Sequence, residues 1–179
     1  VDDSRIWAEI VRQWSALHPE FIFLGRKFKI AVSASEYDRA VIRFHDIGLI
    51  AKKNDVGEMG FEVWIGGGLG RTPMIGKVSN EFVPAEDLLS YLEAVLRVYN
   101  MCGRRDNKHK ARIKILVHET GLDELRAQIE EECIAIKDSS LKVPQYEVDR
   151  IRAYFSPPEF KVLEVVDRGF EIKKFESPE

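Results

Sequence analysis

The sequence predicts an α+β domain in which an antiparallel sheet has helices packed on one side. Two observations carry this. Short alternating or apolar runs bounded by turn residues occupy the first half of the chain, and longer runs with apolar residues at helical spacing follow Pro84. A chain of 179 residues with 45% hydrophobic and 32% charged content is also large and apolar enough for one packed core.

The elements follow in order. Ile6, Ile10, Trp14 and Leu17 share one helical face, Ser4 is available as an N-cap, and His18-Pro19 ends the helix. In GRKFKIAV, residues 25–32, Phe28, Ile30 and Val32 alternate with Lys27, Lys29 and Ala31. One face of this strand can enter a core while the other presents two amines. The segment DRAVIRFHD reads as a short helix. Leu49 to Lys53 and Phe61 to Gly66 flank NDVGEMG, whose turn chemistry makes an antiparallel hairpin.

After Pro84, Leu88, Leu89, Leu92, Val95, Leu96 and Tyr99 form a broad helical stripe up to Gly103. A second helix is expected from about Asn107 to Glu119, and a third through Leu122, Leu125, Ile129 and Cys133. From Lys137 onward the chain turns polar, and Pro144, Pro157 and Pro158 interrupt it apart from a short helix near Tyr146 to Tyr154. The expected organisation is a helical lead-in over 1–24, the α+β domain over 25–136, and a linker over 137–179.

Bulk properties restrict function. A formal net charge of -3 argues against a dedicated nucleic-acid binder. The N-terminus has no basic segment followed by an apolar run, and no stretch has the length of a membrane span, so cytosol is the expected location. Cys102 and Cys133 are too few and too far apart for a zinc framework or disulfide scaffold. Without an initiating Met and with the ending KKFESPE, the chain is expected to be a piece of a longer polypeptide.

Three segments could carry chemistry. Lys27 and Lys29 project from one strand face beside Arg26, where an anion between the ammonium groups would relieve their repulsion; a solvated strand face is the alternative. IGGGLGRTP, residues 65–73, allows close backbone approach to a ligand or forms a tight structural turn. It departs from the dinucleotide fingerprint at Arg71, and Gly76-Lys77-Val78-Ser79 is no phosphate-binding P-loop. GRRDNKHKARIK, residues 103–114, offers phosphate contacts or a solvated surface, with Asp106 available to Arg104 or Lys110. His118-Glu119 lacks the second histidine of a zinc motif, and His45-Asp46 has no evident third partner; these histidines are expected to be structural or at the surface.

Taken in order, RKFKIAVS, HDIGL, GFEVWIGGGLGRTP, DLLSYLEAVLRVYN and GRRDNKHKARIKILV resemble the siroheme-containing nitrite and sulfite reductases, particularly the sulfite reductase haemoprotein component. The resemblance runs from about Trp7 to Cys133, and YFSPPEF is similar to the linker between the two pseudo-symmetric halves of these enzymes. It implies a siroheme-binding half-domain. It also implies that Lys27 and Lys29 bind sulfite or nitrite and assist its protonation during reduction to sulfide or ammonia. Arg26, Gly67, Gly68, Arg71, Arg104 and Lys108 would be siroheme contacts, and a ferredoxin or flavoprotein would supply electrons.

The family binds its 4Fe-4S cluster, and through a shared cysteine its siroheme iron, with C-x5-C and C-x3-C elements that are missing here. Its active-site arginines upstream of the present Val1 are missing too. The chain alone is therefore expected to be inactive. The competing expectation is a non-catalytic anion- or nucleic-acid-binding domain of the same fold.

Overall fold

The computed structural model describes residues 1–160 except 36, 138 and 140. Its sheet has four strands in sequential order: β1 (Ile30–Ser33), β2 (Ile47–Lys53), β3 (Met59–Ile65) and β4 (Lys77–Pro84). The β2–β3 hairpin forms where NDVGEMG predicts it. Asn54 Oδ1 accepts from the backbone N–H of Val56 and Glu58, and Gly57 takes a φ of 85°. β4 then pairs antiparallel with β3, a strand the sequence reading did not mark.

The α+β class holds, but the sheet is mixed. β1 pairs parallel with β2, Ile30 facing Ile47. Residues 34–46 make the crossover that parallel strands need, and among the described residues of that span the only regular piece is a single 3-10 turn, Ile42–Phe44, where a short helix was expected.

Period-two alternation decides which face is covered. Ile47, Leu49, Ala51, Phe61, Val63, Ile65 and Val83 are buried against the helices. The opposite face carries Ile50, Lys52, Glu62 and Trp64, with the Arg43 guanidinium 4.6 Å from the Trp64 ring centroid and Lys52 paired with Glu62.

The helices are α1 (Ser4–Ser15), α2 (Pro19–Ile22), α3 (Leu88–Cys102), α4 (Ile113–Thr120), α5 (Leu122–Ala135) and α6 (Gln145–Phe155). α1 is capped by Asp3, whose carboxylate accepts from Arg5 N–H, rather than by Ser4. It ends before Leu17, which is 92% exposed with a φ of 62°. α4 starts six residues later than the expected Asn107. Asn107 folds an Asx turn onto His109 N–H (2.9 Å), and three consecutive basic residues would sit unfavourably at a helix N-terminus.

The proposed division at 24 and 137 is not reflected in the core. Ile6, Trp7, Ile10 and Val11 of α1 join the same buried cluster as the sheet, and so do Val143 and α6 residues Val148 and Ile151. The polar look of 137–155 hides this because, among its described residues, only Val143, Val148 and Ile151 are buried hydrophobics, with Leu141 and Phe155 partly buried against the same core. Residues 161–179 of the expected linker lie outside the described residues. Among the described residues no helix is long and apolar enough to cross a membrane.

Asp2 ties α1 to α6. It accepts a bidentate pair from Arg152 (2.7 and 3.0 Å) and a hydrogen bond from Trp7 Nε1 (3.0 Å). Burial pushes its carboxyl up, but the bonds from Arg152 and Trp7 outweigh that and hold it below the ordinary carboxylate range. A depressed folded-state value stabilises above the unfolded value, about pH 4, and this stabilisation disappears as pH falls through the folded one. Asp2→Asn should therefore be less stable than wild type at pH 7. In urea denaturation the gap should narrow as pH falls below the ordinary carboxylate range, about pH 4; a constant gap would contradict this.

Candidate functional site

Residues 26–29 approach the sheet just before β1 begins, so Lys27 and Lys29 lie in an extended lead-in rather than in the strand. The expected alternation still operates. Phe28 turns inward, its ring centroid 5.8 Å from that of Tyr99, while Lys27 and Lys29 are exposed. Together with Arg26, both lysines line a cavity of about 420 Å3. Its other walls are Ala40, Val41, Phe44 and His45 from the crossover, Leu69 from the glycine loop, and Arg112 immediately before α4. The basic lead-in and the end of the basic segment thus converge on one space.

Asp46 stands behind this wall and is 1% exposed. Its Oδ2 accepts from Lys29 N–H (3.0 Å) and its Oδ1 from an Arg112 terminal nitrogen (2.8 Å). Its carbonyl accepts from Gly66 N–H (3.0 Å), and the next residue, Ile47, donates its N–H to the Lys29 carbonyl (3.1 Å). Arg112 Nε is buried and has no hydrogen-bond partner among the described residues. Such a donor is costly to leave unmet and suits an acceptor supplied by a ligand or water.

The crossover is unusual at the cavity lip. Val41 takes a φ of 53°, a left-handed conformation that β-branched residues avoid. It is held by Ile42 N–H donating to Asp38 Oδ1 (2.8 Å) and by His45 Nδ1 donating to the Val41 carbonyl (2.9 Å). A carbonyl can only accept, so His45 Nδ1 carries the proton and Nε2 is the atom left for other partners.

The glycine loop is shaped mainly by protein. A Cβ on Gly67 would stand 2.3 Å from the Arg43 carbonyl oxygen and 2.6 Å from that of His45; one on Gly68 would meet Arg112 and Lys114, each at 3.1 Å. Lys114 is buried and donates to the Thr72 carbonyl (2.6 Å), which pins the loop. Burial, and secondarily Arg112, lower its pKa.

Arg71 is exposed and Lys108 lies exposed in the turn before α4; neither lines the cavity. Arg104 does not line it either, being engaged by Asp106 (2.6 Å) and Glu119 (3.4 Å). Sequence reasoning missed Arg112 as a wall residue and set aside His45-Asp46. The only available signal was that adjacent pair ahead of an apolar run, and its third partner, Arg112, stands far away in the chain.

The arrangement fits an anion: a small oxyanion, or carboxylates on the edge of a larger cofactor. It does not fit an iron-sulfur cluster. Only two cysteines exist, Cys102 is exposed, and the Cys133 thiol is pushed up to about 11 by burial and the carboxylates of Glu130, Glu132 and Asp87. No group of three potential metal ligands gathers among the described residues.

Comparison with known proteins gives this geometry its lineage. The family model described as the nitrite and sulphite reductase 4Fe-4S domain matches residues 1–136. A sulfite reductase (ferredoxin) of Synechococcus elongatus is 36% identical over 115 residues, covering 60% of this chain and 18% of that protein. Sulfite reductase (ferredoxin) 1 of Mycolicibacterium paratuberculosis is 33% identical over 132 residues, 74% of this chain and 23% of its own length. A sulfite reductase (NADPH) hemoprotein beta-component of Methylobacterium radiotolerans is 39% identical over 118 residues, 60% of this chain and 19% of its own. The solved structure of the Mycobacterium tuberculosis NirA protein superposes with a TM-score of 0.65 at 29% identity, over 75% of this chain and 24% of that one. The chain thus spans about a fifth of the length of the sulfite reductases it matches. A match that runs from the first residue to the end of α5, and so takes in every wall of the cationic cavity, places the chain in the nitrite and sulphite reductase family.

Proposed function

We propose that the cavity is the oxyanion-facing part of an enzyme that reduces sulfite to sulfide, nitrite being the alternative substrate. The convergence of Arg26, Lys27, Lys29 and Arg112 on one space carries this reading, since only Arg112 among them has a carboxylate partner within 4.0 Å among the described residues. The relatives' names favour sulfite. Lys27 and Lys29 hold the anion by charge-assisted hydrogen bonds and deliver protons to the oxygens that leave as water. Arg112 adds a fixed positive field beside them.

When bound, siroheme would supply the electrons at an iron atom. Arg26 and Arg112 would face its carboxylates, with Gly67, Gly68, Arg71, Arg104 and Lys108 as the wider set of contacts implied by the resemblance. The cluster and its cysteines would come from residues outside this chain, as would docking for a ferredoxin or flavoprotein donor. The chain by itself is accordingly inactive in reduction and competent only in binding the anion.

Titration of the chain with sulfite, followed by amide chemical shifts, tests the reading. Lys27→Ala and Lys29→Ala should each weaken sulfite binding about tenfold, which is about 1.4 kcal/mol, and wild-type affinity should fall as salt rises. Wild-type affinity in both variants would remove the lysines from the site. Parallel titration with nitrite ranks the two substrates.

A further inference from the structure

We infer that Asp46 is a positioning residue for the anion site: it never touches the anion, but it sets where the cationic groups stand. This rests on the reading of the cavity given above. One buried carboxylate holds two walls of the cavity through its side chain, Lys29 by its backbone N–H (3.0 Å) and Arg112 by its guanidinium (2.8 Å). Its own carbonyl holds a third, receiving Gly66 N–H (3.0 Å) at the start of the glycine loop.

The geometry explains why a carboxylate is needed at this place. β1 begins only at Ile30, so Lys29 N–H has no ladder acceptor, and the Asp46 side chain provides one just before β2 begins. The ladder therefore starts in register on the next residue, with Ile47 N–H donating to the Lys29 carbonyl (3.1 Å). Lys27 and Lys29 inherit their orientation from that anchored backbone. Arg112 precedes α4 in an extended conformation, and Tyr99 Oη fixes the neighbouring Ala111 carbonyl (2.9 Å). With its main chain so held and one terminal nitrogen on Asp46, the guanidinium keeps a single orientation, its Nε buried.

The two effects of this carboxylate on anion binding have opposite signs. As a negative charge behind a cationic pocket, Asp46 lowers the local positive potential, so removing it should tighten anion binding if charge were all that mattered. As a positioning group its side chain preorganises two walls, those of Lys29 and Arg112, so removing it should weaken binding. We assign it the second role.

The test compares wild type, Asp46→Asn and Asp46→Ala by sulfite titration and by amide hydrogen exchange at Lys29. Asparagine keeps the shape and an acceptor for Lys29 N–H but releases Arg112. Asp46→Asn should retain slow exchange at Lys29 and bind sulfite about tenfold more weakly than wild type. Asp46→Ala should speed Lys29 exchange about tenfold or more while Val63 in the centre of β3 stays protected, and should bind sulfite more weakly still. Sulfite binding by Asp46→Asn as tight as or tighter than wild type would overturn the assignment, and so would unchanged Lys29 exchange in Asp46→Ala. Should Asp46→Ala fail to fold, the sulfite affinity of Asp46→Asn decides alone. Absence of sulfite binding to the wild-type chain would remove the proposed substrate site, and this role with it; undiminished affinity in Asp46→Asn removes this role only.

Discussion

Phe61→Ala should lower the unfolding free energy by about 3–5 kcal/mol, the largest loss expected from one side chain in this fold. Phe61 is 0% exposed, faces Ala51 and Val83 on the adjacent strands, and meets Trp7 of α1 edge-on at 5.0 Å and 72°. Its ring therefore joins sheet to helix at the place where the flanking strand residues are too small to fill the gap. Collapse is resisted from below by Trp7, whose Nε1 is tethered to Asp2. Against a total stability of about 5–15 kcal/mol for a single domain, this is a large fraction. The melting temperature should drop by about 6–20 °C in consequence. Phe61→Leu, which leaves most of the volume, should lose less than half as much. Equilibrium denaturation of the three proteins measures both, and a loss under about 1 kcal/mol for Phe61→Ala would mean that the layers close over the vacancy.

The burial of that side chain is already legible in the amino-acid sequence. Alternation in GFEVWI puts Phe61, Val63 and Ile65 on one face, and the stripe after Pro84 puts Leu88, Leu92, Val95 and Tyr99 on another. Both signals are periodic and local, and both sets are buried. β4 was illegible because KVSNEFVP has weak alternation and a bulge opposite Phe61 to Trp64, so its strand character comes from pairing with β3. The parallel β1 was illegible for a different reason. Period two reports which face is buried and says nothing of strand direction, which here is set by the crossover over residues 34–46.

The candidate site divides the same way. Lys27 and Lys29 could be found because two amines two residues apart in an extended segment share a side. Arg112 could not, because its place in the cavity depends on Asp46, which is 66 positions away in sequence. Asp46 itself looked like half of an isolated His-Asp pair; its meaning is a burial property, and burial of a lone carboxylate cannot be seen in a string of letters. Ordered motifs could point to the region, but only the packing shows that the lysine lead-in, the crossover and the residue before α4 face one another.

Gly67→Ala separates two uses of the glycine loop. Were Gly67 glycine only to let a cofactor approach, a methyl group would leave stability unchanged and disturb ligand binding alone. In the fold, that methyl would stand 2.3 Å from the Arg43 carbonyl oxygen and 2.6 Å from the His45 carbonyl oxygen, distances that real Cβ atoms do not reach. Both obstacles are main chain, so no rotamer change relieves them. The turn Ile42–Phe44 must move instead, and with it go the Gly76 N–H bond to the Arg43 carbonyl (2.7 Å) and the placement of Phe44, His45 and Asp46. The expected cost is about 2–4 kcal/mol in denaturant unfolding, together with weaker sulfite binding. Gly70→Ala is the internal comparison: nothing stands within 4 Å of its Cβ, so only its φ of 117° resists the change, at about 1–2 kcal/mol. If Gly67→Ala proves no more destabilising than Gly70→Ala, the crossover is free to yield at that point. The cavity's upper wall would then be set by the ligand rather than by the fold.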